Sequence, residues 1–250
     1  MRGATGSDPH NGPTAGSRIV VVGATGNVGT SVVQALSRDP SVGSVVGLAR
    51  RLPEWTCDKT AWAAADITHD DLTDLLAGAD AVIHLAWIFQ PTHDPTATWR
   101  NNVLGGLRVF QAVASARVPV LVHASSVGAY SPGPKDREVD EGWPTHGWPD
   151  AAYCREKAYL ERALDAYELR HPEMRVVRMR PGFIFKRESA CSQSRLFAGF
   201  APPGVLATDR MAPVVPALPR LRFQALHSDR RRGVPAGGAS AGQGRVQPGR

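Results

Sequence analysis

The feature that most constrains the fold is an apolar, β-branched run, Arg18-Ile19-Val20-Val21-Val22, which passes without a break into Gly23-Ala24-Thr25-Gly26-Asn27-Val28-Gly29. A short apolar run ending in glycine reads as a strand buried on both faces, the setting of a parallel sheet. The GxxGxxG that follows opens a segment, 28–37, whose apolar residues recur at helical spacing. Glycines here permit a tight turn and let backbone N–H groups approach a pyrophosphate at the helix N-terminus. A purely structural turn would also use glycine, but the position straight after the first strand favours dinucleotide binding by Gly23, Thr25, Gly26, Asn27, Val28 and Gly29.

The pattern then repeats. Apolar runs at 44–48, 61–65, 81–86, 118–124 and 174–179 predict strands, with helices expected over 70–77, 96–116 and 150–170. Strands alternating with helices over short links imply the α/β class, here a Rossmann-type doubly wound parallel sheet over 18–185. Residues 1–17, rich in Gly, Pro, Ser and Thr, read as a disordered leader. Over 186–229 the pattern decays into a partial substrate-binding region: five prolines between Pro202 and Pro219 exclude long elements, and 221–226 is one more candidate strand. Residues 230–250 bury too little to offset their ordering entropy and are expected to be a disordered tail.

Composition narrows the function. The chain has 250 residues, 42% of them hydrophobic, enough for one sizeable core. No apolar run approaches a membrane span, so no membrane partner is expected. Cys57, Cys154 and Cys191 lack CxxC spacing, which argues against a metal site or a disulfide framework and for a cytoplasmic protein. The net charge of +6 raises the question of nucleic acid, yet five of the arginines fall in 230–250 with no acid beside them. A near-neutral domain with no aromatic-interleaved basic face is not expected to bind nucleic acid.

Two further motifs carry chemistry. The second strand ends at Arg50-Arg51, where an acid would hold the ribose 2′-hydroxyl of NAD; two arginines suit a 2′-phosphate, so NAD(P) with a leaning to NADP is expected. Alternatively the pair is a solvated basic loop. In Tyr153-Cys154-Arg155-Glu156-Lys157, the i,i+4 spacing puts Tyr153 and Lys157 on one helix face, while Cys154 points off it. A nearby ammonium favours the phenolate, and such a tyrosine can exchange a proton with a carbinol while hydride moves. Ser125-Ser126 follows the fifth strand, at the carboxyl ends of the strands where sheet ligands sit. His84 on its apolar strand reads as a satisfied core histidine. Trp143, His146 and Trp148 lie in the loop before the active helix, either shaping a substrate pocket or packing the loop.

These segments, together with Asp66-Ile67, His84-Leu85-Ala86, Asn102-Val103, Val127-Gly128-Ala129-Tyr130 and Arg180-Pro181-Gly182-Phe183, occur in one order. In this the chain resembles the extended short-chain dehydrogenase/reductases, the NAD-dependent epimerase/dehydratase family in particular, over residues 18–229. The resemblance implies that Ser126 polarises the substrate oxygen, that Tyr153 is the acid/base, and that Lys157 lowers its pKa and holds the ribose. It implies adenine contacts from Asp66 and Ile67, a cofactor wall of Leu85, Ala86 and Trp87, and Pro181 beside the cofactor. Asn102 would be a structural feature of its helix. Lys186 stands where the family usually has glycine. The function implied is an NAD(P)-dependent oxidoreductase or epimerase acting on a carbonyl or carbinol, with a small-molecule substrate such as a nucleotide sugar, and a homodimer. The rivals are a non-catalytic NAD(P)-binding regulator and a defective, frame-shifted relative without turnover.

The frame-shifted reading has its own test. After His227-Ser228-Asp229 the family continues with Asp-Val and a helix, whereas this chain runs Arg230-Arg231-Arg232. Back-translating 230–238 with suitable codons and a one-base offset spells Asp-Val-Ala-Ala-Tyr-Arg-Arg-Ala. The same offset over 244–250 spells Gly-Ala-Phe-Asn-Leu-Ala. Sequencing the gene across codon 229 should reveal both segments in the shifted frame; a gene that encodes neither ends the idea.

Overall fold

Val20, Val21 and Val22 retain 0%, 0% and 2% of their solvent exposure. Three consecutive residues can be buried like this only in a strand with neighbours along both edges and layers on both faces. The computed structural model describes residues 16–89, 93–134, 136–186 and 225–227. In it β1 (Ser17–Val22) lies between β2 (Val42–Ala49) and β4 (Ala81–His84), with Val22 opposite both Leu48 and His84. With β3 (Thr60–Ala64), β5 (Val120–Ala124) and β6 (Arg175–Met179), the sheet runs β3-β2-β1-β4-β5-β6, parallel throughout. The order reverses between β1 and β4, and the crevice beyond their carboxyl ends is where such sheets take ligands. β1 begins one residue before the predicted start because the Ser17 N–H reaches Ser41 O at 2.9 Å.

The helices are α1 (Asn27–Ser37), α2 (Thr73–Leu76), α3 (Pro95–Thr98), α4 (Gly105–Ser115) and α5 (Ala152–Arg170). α2 is shorter than predicted because the Asp70 and Asp71 carboxylates take the N–H groups of Asp66 and Thr73 instead of entering a helix. The single helix expected over 96–116 is broken by a π-helical turn, Trp99–Leu104. That wider turn sits where Gly105 packs so tightly on Ile67 that a Cβ would fall 2.8 Å from its Cγ1, and it buries both Asn101 and Asn102. β4 stops at His84, so residues 85 and 86, expected in the strand, form the crevice wall instead. The two layers have separate cores: Leu76, Phe110, Leu121, Leu160 and Leu164 on one face, Val21, Val33 and Val45 on the other. Each such side chain contributes about 1.5–3 kcal/mol.

β7 (Phe183–Phe185) and β8 (Ala225–His227) pair in parallel as a separate two-stranded sheet. β8 overlaps the strand expected at 221–226, whose first four residues lie outside the described residues, as do 1–15 and the tail 230–250. Among the described residues, no helix is long and apolar enough to cross a membrane.

His84 and His123 are register partners on β4 and β5, their rings 5.4 Å apart and both edge-on to Phe110. His84 is a core histidine as expected but not a satisfied one. Its Nδ1 and both ring nitrogens of His123 have no hydrogen-bond partner among the described residues. Burial, then the nearby Lys157 charge, pushes His84 down to about 3; burial also holds His123 well below its usual range. Below about pH 6.5 the unfolded chain therefore takes up protons that the native state refuses, and stability falls on acidification. Each histidine should contribute a slope of about 1.4 kcal/mol per pH unit between roughly pH 6 and 4. Urea midpoints across that range should show a shallower acid loss in His84→Asn and His123→Asn than in the parent. Equal slopes would exclude this origin.

Candidate active site

The glycine loop has the geometry its sequence implies. Gly23 has φ +86°, and a Cβ there would lie 2.6 Å from Ala86 N; one on Gly29 would lie 2.2 Å from Gly23 O. Only bare backbone lets the β1 turn, the segment after β4 and the start of α1 meet so closely. Gly26 caps α1 in an extended conformation without a side-chain cap, and no acid occupies the first helical turn. The positive helix end is thus left to a ligand. Beside it runs a cleft lined by Gly23, Thr25, Gly26, Arg50, Ile67, Leu85, Ala86 and Trp87. Asn27, Val28 and Gly29 form the helical turn behind it. Arg51 is exposed and not part of the lining. Asp66 spends one carboxylate oxygen on its own turn, accepting from Thr68 N at 2.8 Å and Thr68 Oγ1 at 2.7 Å. A dinucleotide with its pyrophosphate on α1 and a ring beside Trp87 fits this donor set and shape.

Against Trp87 of the cleft wall, α5 carries Tyr153 in its first turn and Lys157 one turn on. Ser126 follows β5 and caps the short 3-10 turn Val127–Ala129, its Oγ accepting from Gly128 N at 3.0 Å. Burial holds the Tyr153 phenol above its usual range, with the neighbouring Ser126 hydroxyl acting in the opposite direction. A Cβ on Gly128 would lie 3.1 Å from the Tyr153 ring, 3.3 Å from Cys154 Sγ and 3.4 Å from Ser126 Oγ, so a side chain here would crowd its neighbours. Cys154 Sγ thus lies beside this turn. Lys157 Nζ donates to Ala124 O at 2.7 Å and lies 3.4 Å from the Trp87 ring centroid. Burial takes its pKa down to about 7, opposed by Glu156 and Glu161. Pro181 backs this corner, its carbonyl accepting from Val127 N at 3.1 Å.

Several contributors were missed in the sequence. Phe89, half exposed, stacks on the Tyr153 ring at 5.4 Å and 17°, with Trp87 edge-on at 5.5 Å. Buried Glu156 accepts from Thr98 Oγ1 at 2.7 Å and Asn102 Nδ2 at 2.8 Å. Asn102 in turn grips the backbone between the two aromatics, accepting from Ile88 N at 2.9 Å and donating to Ile88 O at 2.8 Å. Glu161 accepts from Ser125 Oγ at 2.5 Å and from Arg180 at 2.8 and 2.9 Å. Arg180 also donates to Tyr130 Oη at 3.1 Å. Glu161 was within reach of the spacing argument, since it continues the series 153, 157, 161 on one helix face. Trp143 packs the loop, donating to Ser131 O at 3.2 Å, and Trp148 is exposed.

The model of the NAD dependent epimerase/dehydratase family matches residues 19–189. The chain belongs to this family. A Stigmatella aurantiaca 4-hydroxy-2-methyl-3-oxo-4-farnesyl-3,4-dihydroquinoline-1-oxide ketoreductase is 29% identical over 67% of this chain and 50% of its own length. A Mycolicibacterium smegmatis UDP-glucose 4-epimerase is 32% identical over 60% and 51%. A short-chain dehydrogenase/reductase superfamily protein of Agrobacterium tumefaciens, solved with bound NAD, superposes with a TM-score of 0.59 at 26% identity, covering 73% of this chain and 54% of that one. The chain spans about half the length of the curated relatives it matches. The epimerase/dehydratase match ends three residues after Lys186, just past β7.

Glu156 gives the site a measurable dependence. Glu156→Ala removes one acceptor each from Thr98 Oγ1, which keeps Pro95 O, and Asn102 Nδ2, which keeps Ile88 O, and should cost about 1 kcal/mol in urea denaturation. Glu156→Gln can still accept from Asn102 and donate to Thr98, so it should lose about half as much; equal losses would show that hydrogen bonding is not what the carboxylate contributes.

Proposed function

We propose that the protein is an NAD(P)-dependent oxidoreductase or epimerase that moves hydride at a carbonyl or carbinol carbon of a small molecule, a nucleotide sugar or another metabolite. The observation that carries this is that Tyr153 and Lys157 of α5 both pack on Trp87, a residue of the cleft wall, with the Ser126 turn against the Tyr153 ring. The nicotinamide ring, when bound, supplies or takes the hydride. Ser126 and Tyr153 hold the substrate oxygen, and Tyr153 gives it a proton in reduction or removes one in oxidation. Lys157, 5.8 Å from the Tyr153 ring centroid, favours the phenolate while it is protonated, and its ammonium has protons beyond the one given to Ala124 for ribose hydroxyls. Phe89 and Trp87 exclude water from one side of the phenol. Arg50 in the cleft, with Arg51 beside it, supports NADP over NAD.

A non-catalytic dinucleotide sensor would share the glycine loop but has no use for the three polar groups together. Two measurements separate the readings. Tryptophan fluorescence should report binding of NADPH about tenfold tighter than NADH; tighter NADH binding would refute the Arg50 assignment. Turnover on a panel of carbonyl substrates should fall about 10²- to 10⁴-fold in Tyr153→Phe with nucleotide affinity unchanged. Undiminished turnover would remove Tyr153 from the chemistry, and nucleotide binding with no turnover on any substrate would favour the sensor.

A further inference from the structure

Lys186 is where the chain departs from the family pattern at the exit of the Rossmann sheet, and its side chain turns back to the first turn of α1. Its Nζ donates to Thr30 Oγ1 at 2.8 Å. Thr30 belongs to the first turn of α1: its N–H and hydroxyl both return to Gly26 O, at 3.1 and 3.2 Å. Two residues earlier, Ile184 O accepts from Asn27 Nδ2 at 3.2 Å. Two separate bonds thus tie β7 to the turn that follows the glycine loop.

We propose that Lys186 is a ligand of the dinucleotide pyrophosphate, contributed by the segment that leads out of the Rossmann domain. The side chain is half-buried, and its partner is a neutral hydroxyl. Among the described residues no carboxylate pairs with it. It sits against a helix end that is itself positive, has no acid in its first turn and no side-chain cap. Asn27 Oδ1 in the same turn is buried without a partner among the described residues. An ammonium held against a positive helix end is repelled until an anion lies between them. The two negative charges of a pyrophosphate answer both, the helix N–H groups from one side and the lysine as a point charge from the other. Thr30 holds the ammonium in readiness, so little side-chain entropy is lost on binding. The inference rests on the dinucleotide reading above and adds a residue outside the glycine loop.

The test is direct binding of NADH, ADP-ribose and adenosine, followed by fluorescence, to the parent protein, Lys186→Met and Lys186→Arg. Lys186→Met should bind NADH and ADP-ribose about tenfold more weakly and adenosine within about twofold of the parent. The salt dependence of its NADH binding should flatten, and Lys186→Arg should recover most of the affinity. ADP-ribose bound as tightly by Lys186→Met as by the parent would overturn the proposal. So would an equal loss for adenosine, which would make Lys186 only a pin between β7 and α1. A parent protein that binds none of the three overturns the dinucleotide reading and this one with it.

Discussion

Helix α5 buries Glu156, Lys157 and Glu161, three ionisable side chains within two turns, and this corner of the molecule is arranged around satisfying them. A buried charge without partners is costly, so each fixes the position of whatever it bonds. Lys157 bonds the carbonyl at the end of β5. Glu161 draws in Ser125 and the Arg180 guanidinium, joining the ends of β5 and β6. Glu156 holds Thr98 and Asn102, and through Asn102 the backbone that presents Trp87 and Phe89. The groups assigned to chemistry are thereby held by the same helix that carries two of them.

On the far side of β1 the constraint is steric. Gly23 and Gly29 allow backbone to meet backbone where a Cβ would overlap, which opens the helix end of α1 to an anion. The cleft between the glycine loop and α5 follows from the reversal of strand order at β1 and β4, a property of the topology and of no single residue. The two ends serve different purposes: backbone N–H groups and a helix dipole suit a fixed, charged ligand, whereas hydroxyls and a buried ammonium suit an oxygen whose proton changes hands.

Most of the fold was legible because buried parallel strands leave a local record. Every strand of the six-stranded sheet lies within a few residues of its apolar run, most sharply β1 and β2, whose buried residues are Val, Ile, Leu, Ala and one Gly. Local signals failed where long-range contacts decided. The π-helical turn at Trp99–Leu104 has no periodic mark, because it reflects the packing of Gly105 on Ile67 and the reach of Asn102 to Ile88. Phe89 looks like an ordinary loop aromatic until it lies on Tyr153. The nearness of Cys154 to the Gly128 turn was not legible, because helix spacing places it relative to Tyr153 but says nothing of that turn.

The sequence by itself determined the α/β class, the glycine turn after the first strand, and the pairing of Tyr153 with Lys157, because each follows from contacts within a few residues along the chain. Only the tertiary structure decided how the buried carboxylates are spent, which aromatics cover the phenol, and that Lys186 turns back to the first turn of α1. Those depend on segments from 19 to 156 residues apart meeting in space, and a residue-by-residue pattern holds no trace of a partner that distant.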